Sequence, residues 1–273
     1  MKKLTAIFTL LIFLAITFNS CKNENSTNNK VDDINISDEI NHLVYPVPTP
    51  FEATKMLEKS GAAYIVDLTN STENADKYFT EKSKALNLGV YGADLSYTST
   101  YNKAQDTRKF LIVSKKITED LGLTSMFDDA LLDRLEQNIE NKDSLYKIVS
   151  DSYYDTFNKL NDNQKGTVAV MILAGGWIES LYLVSQLASL SENKSDIIKN
   201  LAQQRITSST LLPLLQNYKD NADVAEIIVE IQKIKAIFDK LQIVDDEFVM
   251  NDAQFLELSK TIAEIRTKIV QIS

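Results

Sequence analysis

The 273 residues carry 38 acidic and 29 basic side chains, a formal charge of −9, with one cysteine and one histidine. This acidic balance, with no compensating basic patch, disfavours nucleic-acid binding and electrostatic docking on anionic lipid. One cysteine excludes an intrachain disulfide, and because the only histidine, His42, sits at the end of a linker stretch, Ser-His-Asp and Cys-His catalysis and His-based zinc or iron sites are effectively excluded.

Lys2 and Lys3, an apolar run from Leu4 to Phe18 and the exit Asn19-Ser20-Cys21 read as a secretory signal over residues 1–20. The run, about 15 residues, is shorter than the roughly 20 that span a bilayer as a helix. Cys21 resembles the lipobox cysteine of bacterial lipoproteins, with Ser20 at the small position before it, although Phe18 and Asn19 depart from the usual Leu and Ala or Ser. The resemblance implies an acylated Cys21 as the membrane anchor. Lys22, where an Asp would signal inner-membrane retention, implies the outer membrane. Without Lys2 and Lys3 the mature chain has 27 basic against 38 acidic residues, a formal charge of about −11.

Residues 21–44 read as the lipidated cysteine and a tether. From Lys22 to Asn41 the chain is Asn, Ser, Thr, Asp and Lys with almost no large apolar residue, which as a random coil spans roughly 25 Å. His42 closes this stretch as a solvated linker residue. Tyr45-Pro-Val-Pro-Thr-Pro50 is an extended approach to one helical domain over 45–273. Thr49, Pro50 and Glu52 form a helix start and Gly61 its C-cap.

Helical periodicity then predicts helices at 73–83, 85–101, 102–121 (closed by Gly122), 125–140, 143–161, 164–190, 195–203, 206–219, 222–242 and 252–271. Ala62–Val66 is the only stretch with an extended character. With seven Gly and four Pro in the chain, the expected fold class is all-α, a multi-helix bundle or irregular helical array of about ten helices. Val224, Ile227, Ile231, Ile234, Phe238 and Leu241, and Phe255, Leu258, Ile262, Ile265 and Ile269, follow spacings of 3 and 4. They predict an antiparallel hairpin, with a dimer or partner-binding seam as the alternative. Thr167–Leu190 is apolar nearly all round but includes Glu179, which favours a central buried helix over a membrane span.

Motifs for chemistry are scarce. Asn161-Asp-Asn163-Gln-Lys165-Gly166 has the outline of a calcium loop, but Lys165 and Ile172 occupy ligand positions, so a polar turn is the better reading. Asp128-Asp129 fits the opening turn of a helix, and Asp245-Asp246-Glu247 a solvated connection. Gly89, Gly92, Gly175 and Gly176 lie inside helical runs, outside the strand-to-helix context of a nucleotide loop. Each costs about 1 kcal/mol against Ala in a helix, so close approach of a neighbouring helix is expected to compensate, with a ligand contact as the alternative. Gly89, Gly92, Asp94 and Tyr97 are echoed by Ala174, Trp177, Glu179 and Tyr182 at an offset of 85 residues, with only the acid and the Tyr truly matching.

Asp94 and Glu179, flanked by Tyr91, Tyr97, Trp177 and Tyr182, are therefore the candidate ligand-binding residues. The alternative role for the acids is a structural ion pair with Arg108, Arg134, Arg205 or Arg266. The segment Ala85–Tyr97, with the Tyr45–Phe51 entry and the lipobox, resembles an uncharacterised group of all-helical bacterial envelope lipoproteins, across about the first third of the chain. That resemblance implies the fold and the address and supplies no activity. No 34-residue helical repeat is present. The expected role is non-enzymatic and without metal or cofactor: a helical binding or scaffold module anchored to the membrane through Cys21, with an envelope protein as partner. The alternatives are a small-molecule binder with its pocket between helices 85–101 and 164–190, and a carboxylate-based hydrolase, which needs two acids about 5–10 Å apart facing one cleft.

Overall fold

The computed structural model describes residues 60–124, 129–149 and 165–271, together with 54, 57, 58 and 151, all in one structural unit, Ile36–Ser273. The signal, Cys21, the tether, His42, the Thr49–Glu52 helix start and most of the Asn161–Gly166 turn lie outside the described residues. The fold is an all-α helical array: α1 Glu81–Thr100, α2 Ala104–Asp120, α3 Asp129–Gln137, α4 Gly166–Leu190, α5 Lys194–Gln216, α6 Ala222–Phe238 and α7 Asp252–Val270. Residues 142–149 are also helical.

The core is built on α1 and α4. Gly89 and Gly175 remove the side chains that would hold these helices apart. A Cβ on Gly89 would stand 2.1 Å from the Ile172 carbonyl oxygen, and one on Gly175 would stand 2.0 Å from that of Leu86. The glycine cost is thus offset by backbone-to-backbone approach. Residues 86 and 89 of α1 meet 175, 172 and 176 of α4, and Asp94 meets Glu179 further along, so the two helices run parallel. The sequence echo at the same offset falls on this register.

Around the pair, α2 packs on α1, α5 and α7 on α4, and α6 against α5 and α7. Helix α4 is long and apolar enough to cross a membrane, but most of it is buried inside the fold. The apolar positions predicted for the last two helices are buried throughout, and α6 and α7 pack together within the chain. The expected α6–α7 pairing is therefore present.

Several elements differ from the expected ones. The 73–83 helix is a short 3-10 turn, Thr72–Lys77, after which the chain breaks. Helix α1 begins at Glu81, four residues earlier than expected, because Thr80 and Ser83 form a reciprocal capping box. The two helices expected at 195–203 and 206–219 are one, with Pro213 inside it. The helix expected to reach 242 stops at Phe238, and the connection forms an antiparallel hairpin, β1 Gln242–Val244 and β2 Glu247–Val249, in register Val244↔Glu247. Asp245-Asp246 is its turn. Ala62–Ile65 has no regular secondary structure; Ile65 is extended, but it hydrogen-bonds to the Tyr97 side chain. Gly61 and Gly122 have φ of +75° and +69°, and each sits in a paired-bond helix C-cap, as with Leu123 N–H to Thr118 O and Gly122 N–H to Glu119 O.

Candidate functional site

The polar centre of the molecule lies where α1, α4, α7 and the Leu68–Tyr78 segment meet. Asp94 on α1 and Glu179 on α4 are both completely buried. Arg266, on the inner face of α7 one residue after Ile265, reaches Glu179 in side-on bidentate fashion: Nε to Oε2 at 2.9 Å and Nη2 to Oε1 at 3.1 Å. Its Nη2 also donates to the Leu68 carbonyl at 3.3 Å, and Tyr182 lies under the guanidinium at 4.5 Å. Of the four arginines weighed from sequence, Arg266 is thus the partner of Glu179, separated from it by 87 residues.

Asp94 has no arginine of its own. Its Oδ2 accepts the Asn70 backbone N–H at 3.0 Å, its Oδ1 has no donor among the described residues, and its carboxyl lies beside that of Glu179. Burial, reinforced by the Glu179 charge, pushes the Asp94 carboxyl well above the usual carboxylate range. Burial also raises Glu179, but the Arg266 charge and hydrogen bonds oppose the rise there. Both effects favour the neutral form at Asp94 and the charged form at Glu179, where the carboxylate balances Arg266.

Asparagines and tyrosines extend this centre. Asn70 Nδ2 donates to Tyr78 Oη at 2.9 Å, and Asn74 Nδ2 to Asn70 Oδ1 at 2.8 Å. Asn87, buried between Leu86 and Leu88, donates to the Ile269 carbonyl at 2.9 Å. Tyr91 donates to Ser71 O at 2.8 Å. Tyr97 Oη accepts from Ile65 N–H at 2.8 Å and donates to Ile65 O at 3.4 Å, one hydroxyl serving both backbone groups of a residue that has no strand partner. Burial raises both phenols, that of Tyr97 to about 12.

Of the six predicted site residues, Asp94, Glu179 and Tyr182 are brought together around Arg266. Tyr91 and Tyr97 instead hold the Ile65–Ser71 segment. Trp177 faces α5, with Nε1 donating to Gln204 Oε1 at 3.4 Å. Asn70, Tyr78 and Asn87 are members that the sequence reading missed. The available signal was Asn87, an amide inside the apolar run of α1 that could not be buried without partners.

The pocket expected between α1 and α4 is filled by their backbone contact. A cleft of about 560 Å³ opens instead between the Thr69–Lys77 segment and the end of α7, with Asn70 and Arg266 on its wall. Both carboxyls lie behind those two residues, with no exposed surface. Among the described residues, no group of acidic, His or Cys side chains is arranged to hold a metal ion.

Fold and site together define an all-α helical array stabilised by a buried acid–acid–arginine centre. Compared with family models, with curated proteins and with solved structures, the chain matches none.

Proposed function

We propose that this chain is an envelope lipoprotein, held in the outer membrane by acylated Cys21, whose helical domain acts as a non-enzymatic binding or scaffold module. The observation that carries the reading is Cys21 itself, placed between a short apolar run and a polar tether. The buried centre supports the non-enzymatic part. Asp94 and Glu179 lie together, as a hydrolase pair would, but both are buried and engaged with Asn70, Arg266 and each other. Their hydrogen bonds fasten α1, α4, α7 and the Leu68–Asn70 segment, a structural use of charge.

The test is purification of the lipidated full-length protein from its native envelope in mild detergent, with Cys21→Ser as control and mass spectrometry of what co-purifies. Radiolabelled palmitate incorporated by the wild type and not by Cys21→Ser supports the anchor. A stoichiometric protein partner lost with Cys21→Ser supports the module. An unlabelled protein secreted in soluble form would refute the anchor.

The second reading, a small-molecule binding protein, is favoured by the polar cleft beside Arg266. The cleft replaces the expected pocket between α1 and α4.

A further inference from the structure

Arg266 is held on two of its three nitrogens. Nε and Nη2 are spent on Glu179 and Leu68 O, and Tyr182 covers one face of the guanidinium. Nη1 makes no hydrogen bond among the described residues and so keeps its donors, and Arg266 stands on the wall of the cleft. The cleft is also lined by the exposed Lys77, whose ammonium gives one hydrogen bond to Asn74 Oδ1 at 2.8 Å and keeps two.

Several acceptors around this cleft are already engaged. Asn74 Oδ1 takes Lys77, Asn70 Oδ1 takes Asn74, and at the end of α7 the Ile269 and Val270 carbonyls take Asn87 Nδ2 and Tyr78 Oη. Arg266 is paired with Glu179 and Lys77 has no acidic partner among the described residues, so the cleft presents unspent donors beside the charge of Lys77. We propose that it binds a small organic carboxylate, held between Arg266 Nη1 and Lys77 Nζ.

Three features support that ligand class. The guanidinium is ordered before anything binds, so little entropy is lost in fixing it. Nη1 keeps its N–H donors, and a charge-assisted hydrogen bond from it suits a carboxylate oxygen. The volume, about 560 Å³, lies within the range of small-molecule sites. The proposal rests on the second reading, a small-molecule binding protein, and names its ligand class.

The experiment is calorimetric titration of the full-length protein, in a polyoxyethylene detergent at constant ionic strength, with citrate, glucuronate, inorganic phosphate and glucose. Saturable binding of citrate or glucuronate is expected, with weaker binding of phosphate and none of glucose. Lys77→Ala should weaken carboxylate binding about tenfold or more. Lys260→Ala, on the exposed face of α7, should leave it unchanged, and circular dichroism should show both variants folded. Absence of carboxylate binding, preference for phosphate or glucose, or unchanged affinity in Lys77→Ala would each overturn the proposal. The binding-module reading would survive those results, because it is tested separately by partners that depend on Cys21.

Discussion

Asp94 and Glu179 lie together inside the fold, placed to share one proton. Glu179 accepts two hydrogen bonds from Arg266, whereas Asp94 Oδ1 meets no donor other than the proton it carries itself. Two ionised carboxylates against one guanidinium would leave an uncompensated charge in a fully buried centre, at a cost of several kcal/mol. One neutral acid removes that cost.

Asp94→Asn should therefore be tolerated. The amide oxygen can accept from Asn70 and the amide nitrogen can donate to Glu179, reproducing the protonated acid to within about 1 kcal/mol. Asp94→Ala should cost about 1–3 kcal/mol, because Asn70 N–H loses its acceptor in the core. Glu179→Gln should cost more, about 3–5 kcal/mol, because it leaves Arg266 buried without a counter-charge. Urea denaturation of the three variants at neutral pH checks the order, and a loss in Asp94→Asn as large as in Asp94→Ala would contradict the shared proton.

The same proton sets a pH dependence. The Asp94 carboxyl is raised in the folded state, so the native protein binds a proton that the unfolded chain releases above the ordinary carboxylate range. Its contribution to stability is complete below that range and is lost as pH rises toward the folded value. Wild-type stability should decline across that window. Asp94→Asn, which has nothing to release, should show a flatter profile, read as the urea midpoint at a series of pH values. Parallel profiles would place the proton elsewhere.

The glycines of α1 and α4 separate two explanations by position. Gly89→Ala and Gly175→Ala push a methyl into the backbone of the facing helix, which cannot move aside as a flexible side chain would. Each should destabilise by about 3 kcal/mol or more. Gly92, one turn from Gly89, has nothing within 4 Å of where its Cβ would lie, so Gly92→Ala should gain about 0.5–1 kcal/mol from helix propensity. Thermal denaturation of the three variants reads opposite signs. A destabilising Gly92→Ala would mean that its surface has a use not apparent in the packing.

The Tyr97 hydroxyl should matter more locally than globally. Tyr97→Phe keeps the ring, stacked on Tyr64 with centroids 5.1 Å apart, but removes the only group that bonds Ile65 N–H and C=O together. A loss of about 1–2 kcal/mol is expected, with faster hydrogen exchange at the Ile65 amide. Tyr91→Phe, which frees Ser71 O, should loosen the next stretch and leave Ile65 protected. Identical exchange changes in the two variants would argue against separate latches.

What could be read in the sequence follows from the range of the interaction. The apolar positions of α6 and α7 repeat within single helices, and that period alone predicted their buried faces. Asp94 and Glu179 were legible as buried acids because each interrupts an apolar run. Their relation was not, since it depends on a parallel packing of α1 on α4 that no local pattern encodes. Arg266 was one of four equivalent arginines until the fold carried it to Glu179. Trp177 lies two positions from Glu179 and so, at 100° per residue, on another face of α4. The break expected at residues 204–205 is absent, and α5 runs through it and on through Pro213 because Leu201 and Ala202 before it and Leu211, Leu212, Leu214 and Leu215 after it are buried and keep the helix packed. Local breakers lose to burial when the cost is one backbone hydrogen bond.

The hairpin was missed because its turn lacks the usual glycine. Asp245 and Asp246 have φ of +50° and +62°, and with Val244 paired to Glu247 they form a two-residue turn in which both central residues are left-handed. Asn-Gly suits that geometry and Asp-Asp suits it less well. The hairpin is also fastened to α5, because Arg205 stacks on Phe248 at 4.6 Å and Gln203 Nε2 donates to Phe248 O at 3.3 Å. Asp245→Asn with Asp246→Gly should therefore stabilise the protein by up to about 1 kcal/mol. Asp246→Val should cost about 1–2 kcal/mol, because a β-branched residue resists positive φ. Denaturant midpoints measure the sign, and amide exchange at Gln242, Val244 and Val249 locates it. If both variants left these amides unchanged, the turn would not be what holds the two strands together, and the contacts of Phe248 with α5 would have to do so.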